Sequence, residues 1–144
     1  MKILVIGKGG REHALAYACK RSALCDELIC APGNPGMAKI GECVNVKDND
    51  VEGLVALAKE RNVDLTIVGP EATLALGVVD AFKKEGLKIF GPDKKATQVE
   101  SSKDFAKNIM AKYNIPTAAY KTFHDLDSAW TYVQEQGAPI VIKE

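Results

Sequence analysis

Excess charge of either sign is missing from this sequence: 19 Lys and Arg residues balance 19 Asp and Glu residues over 144 positions. The chain is therefore under no electrostatic drive toward nucleic acid or an anionic membrane surface, and no Lys/Arg run is dense enough to act as a polybasic arm. Long apolar runs are missing too, every hydrophobic stretch being far shorter than the roughly 18 residues of a membrane span. The opening Met1-Lys2-Ile3-Leu4-Val5-Ile6 is cut off by Gly7-Lys8-Gly9-Gly10-Arg11-Glu12. It is too short for a signal-peptide core and lacks a cleavage site, so it reads as the first strand of a cytoplasmic protein. Close cysteine pairs are also absent. Cys19, Cys25, Cys30 and Cys43 contain no Cys-x-x-Cys, and His13 and His124 are the only histidines. That spacing does not suggest a zinc site, and the cysteines are expected as reduced thiols in or near the core.

What remains is a globular composition, 47% hydrophobic and 26% charged, in which short β-branched runs alternate with helical patterns. Residues 3–6 are apolar without alternation, as in a strand covered on both faces. Ala14, Leu15, Ala18 and Cys19 then fall on one helical face. Residues 27–31 form a second strand closed by Pro32-Gly33-Asn34-Pro35-Gly36, and 43–46 a weak third. Asn49 with Glu52 fits a capping box ahead of a helix bearing Val51, Leu54, Val55 and Ala58. Residues 64–68 are a fourth strand stopping at Gly69-Pro70-Glu71; a helix with Leu74, Val78 and Phe82 on one side follows, and 88–90 are a fifth strand.

The pattern predicts an α/β fold, a parallel sheet wrapped by helices on both faces. Ligands in such sheets lie at the carboxyl ends of the strands, where the loops at 7–12, 32–36 and 69–71 are expected to converge on one crevice. After Gly91-Pro92 the pattern changes. Ser101 or Ser102 caps a helix bearing Phe105, Ile109 and Met110; 119–123 read as a strand, 127–136 as a helix, and 139–144 as a strand. The expected division is a substrate-binding domain at 1–100 and the incomplete beginning of another domain at 101–144. Phe123, Trp130 and Tyr132 are expected to pack a core.

The first loop carries the most chemistry. Glycines between a strand and a helix permit a sharp turn and bare the amides of the helix N-terminus, which with the helix dipole accept an anion. Arg11 adds a planar charged fork suited to phosphate. Glu12 and His13 fall in the first helical turn, where an acid suits the dipole and a histidine serves either packing or a ligand. Asn34 and Glu71 follow the second and fourth strands; a carboxylate at 71 suits ribose hydroxyls or an amine, and either residue serves equally to cap its loop. A dinucleotide site is disfavoured. Glu12 replaces the third glycine of Gly-x-Gly-x-x-Gly, and the second strand ends in Ala31-Pro32-Gly33 without an acidic ribose ligand. No Gly-x-x-x-x-Gly-Lys-Ser/Thr occurs. Lys103 and Lys143 sit where a nucleotide site would start. Each alone reads as a solvated lysine, Lys143 being the more suggestive because it follows Ile140-Val141-Ile142.

Together these residues resemble the N-terminal part of the glycinamide ribonucleotide synthetase (phosphoribosylamine–glycine ligase) family. The segments from Ile3 to Ala16, Ala31 to Asn34, Val68 to Glu71, Phe90 to Pro92, Ser102 to Lys107, Ile115 to Ala118 and Pro139 to Lys143 match in order. The resemblance implies a Rossmann-like pre-ATP-grasp domain followed by the truncated start of an ATP-grasp domain. It implies the second step of de novo purine synthesis, in which ATP phosphorylates the glycine carboxylate and the amine of 5-phosphoribosylamine attacks the acyl phosphate. ATP and Mg2+ (or Mn2+) are the implied cofactors, with metal ligands beyond residue 144. The implied partners are phosphoribosylamine, glycine and ATP, with no nucleic acid or membrane, in a monomeric parent that stands alone or is fused to other purine-pathway domains. Gly9, Gly10 and Arg11 would hold the phosphoribosyl part, with Glu12, His13, Asn34, Gly69, Pro70 and Glu71 around the substrate. Lys103 and Lys143 would face ATP phosphates, and no catalytic residue falls in this chain. Because the family continues past Lys143 into an ATP-covering loop, the chain alone is expected to be inactive. Lys8 stands where the family often has a small residue and is expected to point outward. Another ATP-grasp ligase or carboxylase with the same first domain, and a stand-alone ligand-binding module, remain as alternatives.

Overall fold

The computed structural model describes residues 1–142, in two compact units divided between Ser102 and Lys103. The first unit is organised around β1 (Lys2–Gly7), whose Leu4, Val5 and Ile6 are all 0% exposed. Leu4 and Ile6 face a core containing Ile29, Leu54, Val78 and Phe82, whereas Ile3 and Val5 face a second one with Ala16, Leu28, Cys30 and Met37. Burial on both faces is the cause of an apolar run without polar alternation. Each such aliphatic side chain contributes about 1.5–3 kcal/mol by leaving water.

After β1 come α1 (Gly10–Lys20), β2 (Glu27–Pro32), a single 3-10 turn (Met37–Lys39), β3 (Glu42–Cys43) and α2 (Val51–Glu60). The unit is completed by β4 (Leu65–Val68), α3 (Glu71–Ala75), α4 (Val78–Lys84), β5 (Ile89–Phe90) and α5 (Lys94–Ser101). All strand pairs are parallel, in the order β3-β2-β1-β4-β5. The chain therefore winds outward from β1 through β2 to β3, then returns to place β4 on the other side of β1. The carboxyl ends of β1 and β4 flank this reversal, the place where open α/β sheets bind ligands.

Several elements differ from the sequence reading, each for a local reason. The cap of α2 is Asp50 rather than Asn49, its Oδ1 accepting from the Gly53 amide at 2.9 Å. A Cβ at Gly53 would lie 2.4 Å from Asp50 Oδ2, so a glycine three residues on makes room for this cap. The third strand is Glu42–Cys43 rather than 43–46. The helix after β4 is broken at Gly77, whose φ of +88° ends α3 and starts α4, although Leu74, Val78 and Phe82 still share one core. Residues 94–101, for which the sequence pattern predicts no element, form α5 with Asp93 Oδ1 accepting from Ala96 N at 2.8 Å. In α1 the buried residues are Glu12 and Ala16, with Leu15 and Cys19 half-buried, while Ala14 and Ala18 are exposed.

The second unit contains α6 (Lys103–Lys112) and α7 (Leu126–Gln136). Asp104 of α6 accepts from Asn108 Nδ2 at 3.0 Å and Thr122 Oγ1 at 2.8 Å, and Lys107 Nζ donates to Thr117 Oγ1 at 2.7 Å and to the Ala118 carbonyl at 3.0 Å. Residues 119–123, expected as a strand, pair with no strand among the described residues; Thr122 is held instead by Asp104, and Tyr120 by Asn108, whose Oδ1 accepts from its hydroxyl at 3.2 Å. Residues 139–142 are likewise irregular. Phe123 packs against Tyr132 with ring centroids 5.2 Å apart, but Trp130 is 59% exposed rather than in a core, because α7 has no buried residue.

Phe82 is fully buried and Phe90 is 72% exposed. Replacing Phe82 by Ala should cost roughly 3–5 kcal/mol in urea unfolding of the chain, whereas Phe90→Ala should stay within about 0.5 kcal/mol. Equal losses would show that the core is not where it is described.

Candidate functional site

The loops after β1, β2 and β4 meet because their strands are neighbours. Gly7 is in register with Pro32 and Ile6 with Val68, and two further bonds carry the pairing into the loops: Gly33 N–H to the Gly7 carbonyl and Gly69 N–H to the Ile6 carbonyl, both at 3.2 Å. Between them lies the side chain of Glu12, 6% exposed. A Cβ at Gly69 would sit 2.2 Å from Glu12 Cγ; at Gly7, 2.4 Å from the same atom; at Gly9, 2.7 Å from Oε2. Three glycines from two loops thus line the slot in which this side chain lies. Gly7 also has φ +123°, a conformation that L side chains rarely adopt. Pro70 closes the same wall, its Cγ 2.9 Å from the position of a Gly7 Cβ.

Both oxygens of Glu12 are engaged. Oε2 accepts from Gly9 N at 2.7 Å and Oε1 from Arg11 Nε at 3.0 Å. Gly9 is the N-cap of α1 and Glu12 its third residue, so this is the returning half of a capping box, the other half being impossible for glycine. The first helical bond is His13 N–H to the Gly9 carbonyl at 3.0 Å. The amides of Gly10, Arg11 and Glu12 precede the intrahelical ladder at the positive end of the helix dipole. A Cβ at Gly10 would meet nothing within 4 Å, so open space lies beside these amides.

Arg11, 59% exposed, also donates from Nη2 to Glu71 Oε2 at 2.9 Å. One guanidinium thus joins the first loop to the start of α3. The bond from Arg11 holds the Glu71 carboxyl below its ordinary titration, and Glu71 in turn raises Arg11. Asn34 is consumed structurally: its Nδ2 donates to the Lys8 carbonyl at 2.9 Å, and its Oδ1 accepts from Gly36 N at 2.8 Å and Met37 N at 2.9 Å. His13 is half-buried with its ring against Gly36, where a Cβ would lie 2.4 Å from Cε1. Lys8 has an exposed side chain and enters the site only through its carbonyl.

The structure therefore brings Gly9, Gly10, Arg11, Glu12, His13, Asn34, Gly69, Pro70 and Glu71 to neighbouring loops at one end of the sheet. Gly7, Gly36 and the Lys8 carbonyl, which lie in the converging loops but are not among the residues expected to touch a ligand, join them. Their signal was weak, since a glycine chosen for lack of a Cβ and a carbonyl that any residue supplies leave no chemical mark. Lys103 is the exposed first residue of α6 in the other unit, and Lys143 lies outside the described residues. Among the described residues no group of three or more His, Cys, Asp and Glu side chains is gathered as a metal site. No helix among them is long and apolar enough to cross a membrane.

This geometry defines a class: an open parallel α/β domain with a bare helix N-terminus at its topological reversal. Solved structures share the fold. A phosphoribosylamine–glycine ligase from Thermotoga maritima matches at TM-score 0.68 and 23% identity, over 94% of this chain and 30% of that one. A biotin carboxylase from Campylobacter jejuni matches at TM-score 0.71 and 17% identity, over 96% and 34%. At the level of sequence, residues 1–100 match the family model described as phosphoribosylglycinamide synthetase, N domain, and residues 101–144 that described as phosphoribosylglycinamide synthetase, ATP-grasp (A) domain. The chain belongs to the phosphoribosylglycinamide synthetase family. A curated relative, the phosphoribosylamine–glycine ligase of Xanthomonas campestris, is 55% identical over 99% of this chain and 34% of its own length. The chain thus spans about a third of the curated relatives it matches.

Two outcomes test this geometry. Gly69→Ala should destabilise the chain by about 1–3 kcal/mol through overpacking against Glu12. Combined with Glu12→Ala, which empties the slot, the cost should fall short of the sum by at least about 0.5 kcal/mol in a double-mutant cycle; strict additivity would separate the two residues. Because the Glu71 titration is depressed in the folded chain, its attraction to Arg11 is complete above the ordinary carboxylate range and lost as pH falls through the depressed midpoint. In a carbon-detected NMR titration the Glu71 midpoint should move upward in Arg11→Gln, and an unmoved midpoint would remove the pair.

Proposed function

We propose that this chain is the sugar-phosphate-holding part of a cytoplasmic phosphoribosylamine–glycine ligase. The whole enzyme would join glycine to 5-phosphoribosylamine in the second step of de novo purine synthesis, with ATP converted to ADP and phosphate by way of glycyl phosphate. The observation that carries the reading is the bare first turn of α1, whose amides at Gly10, Arg11 and Glu12 border open space at Gly10. The 55% identity to a ligase of that name over 99% of this chain supports the choice of substrate.

In this reading the 5′-phosphate lies on the first-turn amides, with Gly9 and Gly10 keeping side chains out of its way and Arg11 turning one face of its guanidinium toward it. Glu71 meets the ribose hydroxyls or the amine. Glu12, His13 and Asn34 hold the loops in shape, and Gly69 and Pro70 form the wall. Lys103 and Lys143 face ATP phosphates. Activation of the glycine carboxylate relies on ATP with Mg2+ or Mn2+; the described residues do not form a site for the metal, so the chemistry derived for this chain stops at binding and orienting the sugar phosphate. Holding the amine in place for attack is a large part of what such an enzyme must do.

The test is an amide NMR titration with ribose 5-phosphate, a durable stand-in for the labile amine, using NAD as the control. Saturable shifts should centre on Gly9, Gly10, Arg11 and the 69–71 loop. Arg11→Ala should weaken binding by on the order of ten- to a hundredfold, as for a lost charge-assisted contact. Gly10→Ala should weaken it by about tenfold through steric exclusion while leaving stability within about 0.5 kcal/mol. A response to NAD alone would mean a dinucleotide domain. Silence toward the sugar phosphate combined with bicarbonate-dependent ATP cleavage by the longer protein would favour a carboxylase.

A further inference from the structure

All four cysteines are free thiols, and all four lie in or against the core that contains Val5, Ala16 and Met37. Two of them are paired by the sheet itself. Cys30 of β2 and Cys43 of β3 are register partners on adjacent parallel strands, so their side chains leave the sheet on the same face. Neighbouring strands lie about 4.8 Å apart, inside the Cα separation of about 4.4–6.8 Å that a disulfide bridges. A Cβ at Gly33 would sit 2.4 Å from Cys43 Sγ and 3.0 Å from Cys30 Cβ, which sets both cysteines against the same turn. The Cys43 thiol donates to the Asn34 carbonyl at 3.7 Å.

The two thiols are unequal. Cys30 is 0% exposed, whereas Cys43, on the edge strand, is only half-buried. Burial pushes the Cys30 thiol up to about 12, and the neighbouring Cys43 adds to the rise. The order of reaction follows from access: Cys43 first, Cys30 second. Cys19 and Cys25 have no comparable register, since Cys19 is on α1 and the Cys25 thiol donates to the Glu27 carbonyl at 3.6 Å.

We propose that Cys30 and Cys43 are a peroxide-sensitive dithiol whose oxidised form is an interstrand disulfide behind the Gly33–Asn34 turn. The Cys43 thiolate attacks one oxygen of hydrogen peroxide, the O–O bond breaks, and the departing hydroxide takes up the thiol proton as water, leaving a sulfenic acid. The Cys30 sulfur then attacks the sulfenic sulfur. The S–S bond forms as the S–O bond breaks, and the leaving hydroxide takes the Cys30 proton as a second water. Two thiols lose two electrons in total and one peroxide is reduced to two waters. The bond would fasten β3 to β2 beneath Asn34, the residue that ties the second loop to Lys8. The chemistry itself is independent of the ligase reading; only an effect on sugar-phosphate binding would rest on it.

The experiment is peroxide treatment of the folded chain, followed by alkylation, thiol counting and peptide mapping. The free-thiol count should fall from four to two, the mass should drop by that of two hydrogens, and a Cys30–Cys43 linked peptide should appear that dithiothreitol releases. Cys25→Ser should keep the cross-link and Cys43→Ser should abolish it, with circular dichroism confirming that both variants fold. A Cys19–Cys25 link in its place would overturn the proposal. So would a sulfinic or sulfonic Cys43 without a link, or a thiol count unchanged after exposure sufficient to oxidise free cysteine.

Discussion

A carboxylate that is only 6% exposed has given up most of its water, and Glu12 recovers that loss from two donors, the Gly9 amide and the Arg11 Nε. Burying such a group is tolerable only when it is hydrogen-bonded, so the position of Glu12 fixes the position of both donors. Gly9 starts α1, and Arg11 reaches across to Glu71 at the start of α3. The slot itself exists because Gly7, Gly9 and Gly69 lack the Cβ atoms that would fill it. One buried side chain therefore sets where the first helix begins, how close the loop after β4 approaches, and which way the guanidinium points.

The loop cluster combines a hydrogen-bonded floor with an exposed rim. Its floor is backbone and buried side chain: the ladder bonds from Gly33 and Gly69, the Glu12 contacts, and the three bonds of Asn34. Its rim is the Arg11–Glu71 pair, with side chains 59% and 54% exposed. Pairs that exposed are weak and screened by salt, so the guanidinium can part from Glu71 without disturbing the floor. Preorganised amides with an adaptable charge beside them suit a ligand that carries both an anion and neighbouring hydroxyls.

Much of the first unit was legible because its signals are local. The 3–6 run has the pattern of a strand buried on both sides, and glycine and proline after successive strands marked the loops at the carboxyl edge. What escaped were features whose pattern is shared by two structures. Leu74, Val78 and Phe82 keep helical spacing whether or not Gly77 breaks the helix. Lys94 to Ser101 carries few apolar residues, and α5 depends on the Asp93 cap and its packing on α3 and α4. Residues 119–123 have the composition of a strand, but a strand also needs backbone partners, and the described residues provide none.

The sequence by itself determined the α/β class, the apolar central strand, and the family, because hydrophobic period, turn residues and an ordered set of short motifs are properties of neighbours along the chain. It also placed glycines, an arginine and a carboxylate at the carboxyl ends of β1 and β4. Only the tertiary structure decided their roles. Glu12, legible as a helix-start acid or a ligand, is the buried brace of the loop cluster; Asn34 is a clamp; and Arg11 is shared between two carboxylates 59 residues apart in the chain, at Glu12 and Glu71. Cys30 and Cys43, 13 residues apart, become register partners by the same cause. The physical reason is that parallel strands joined by crossovers bring distant segments side by side, and which atoms then meet depends on register and on missing Cβ atoms, neither of which is marked on the residues themselves.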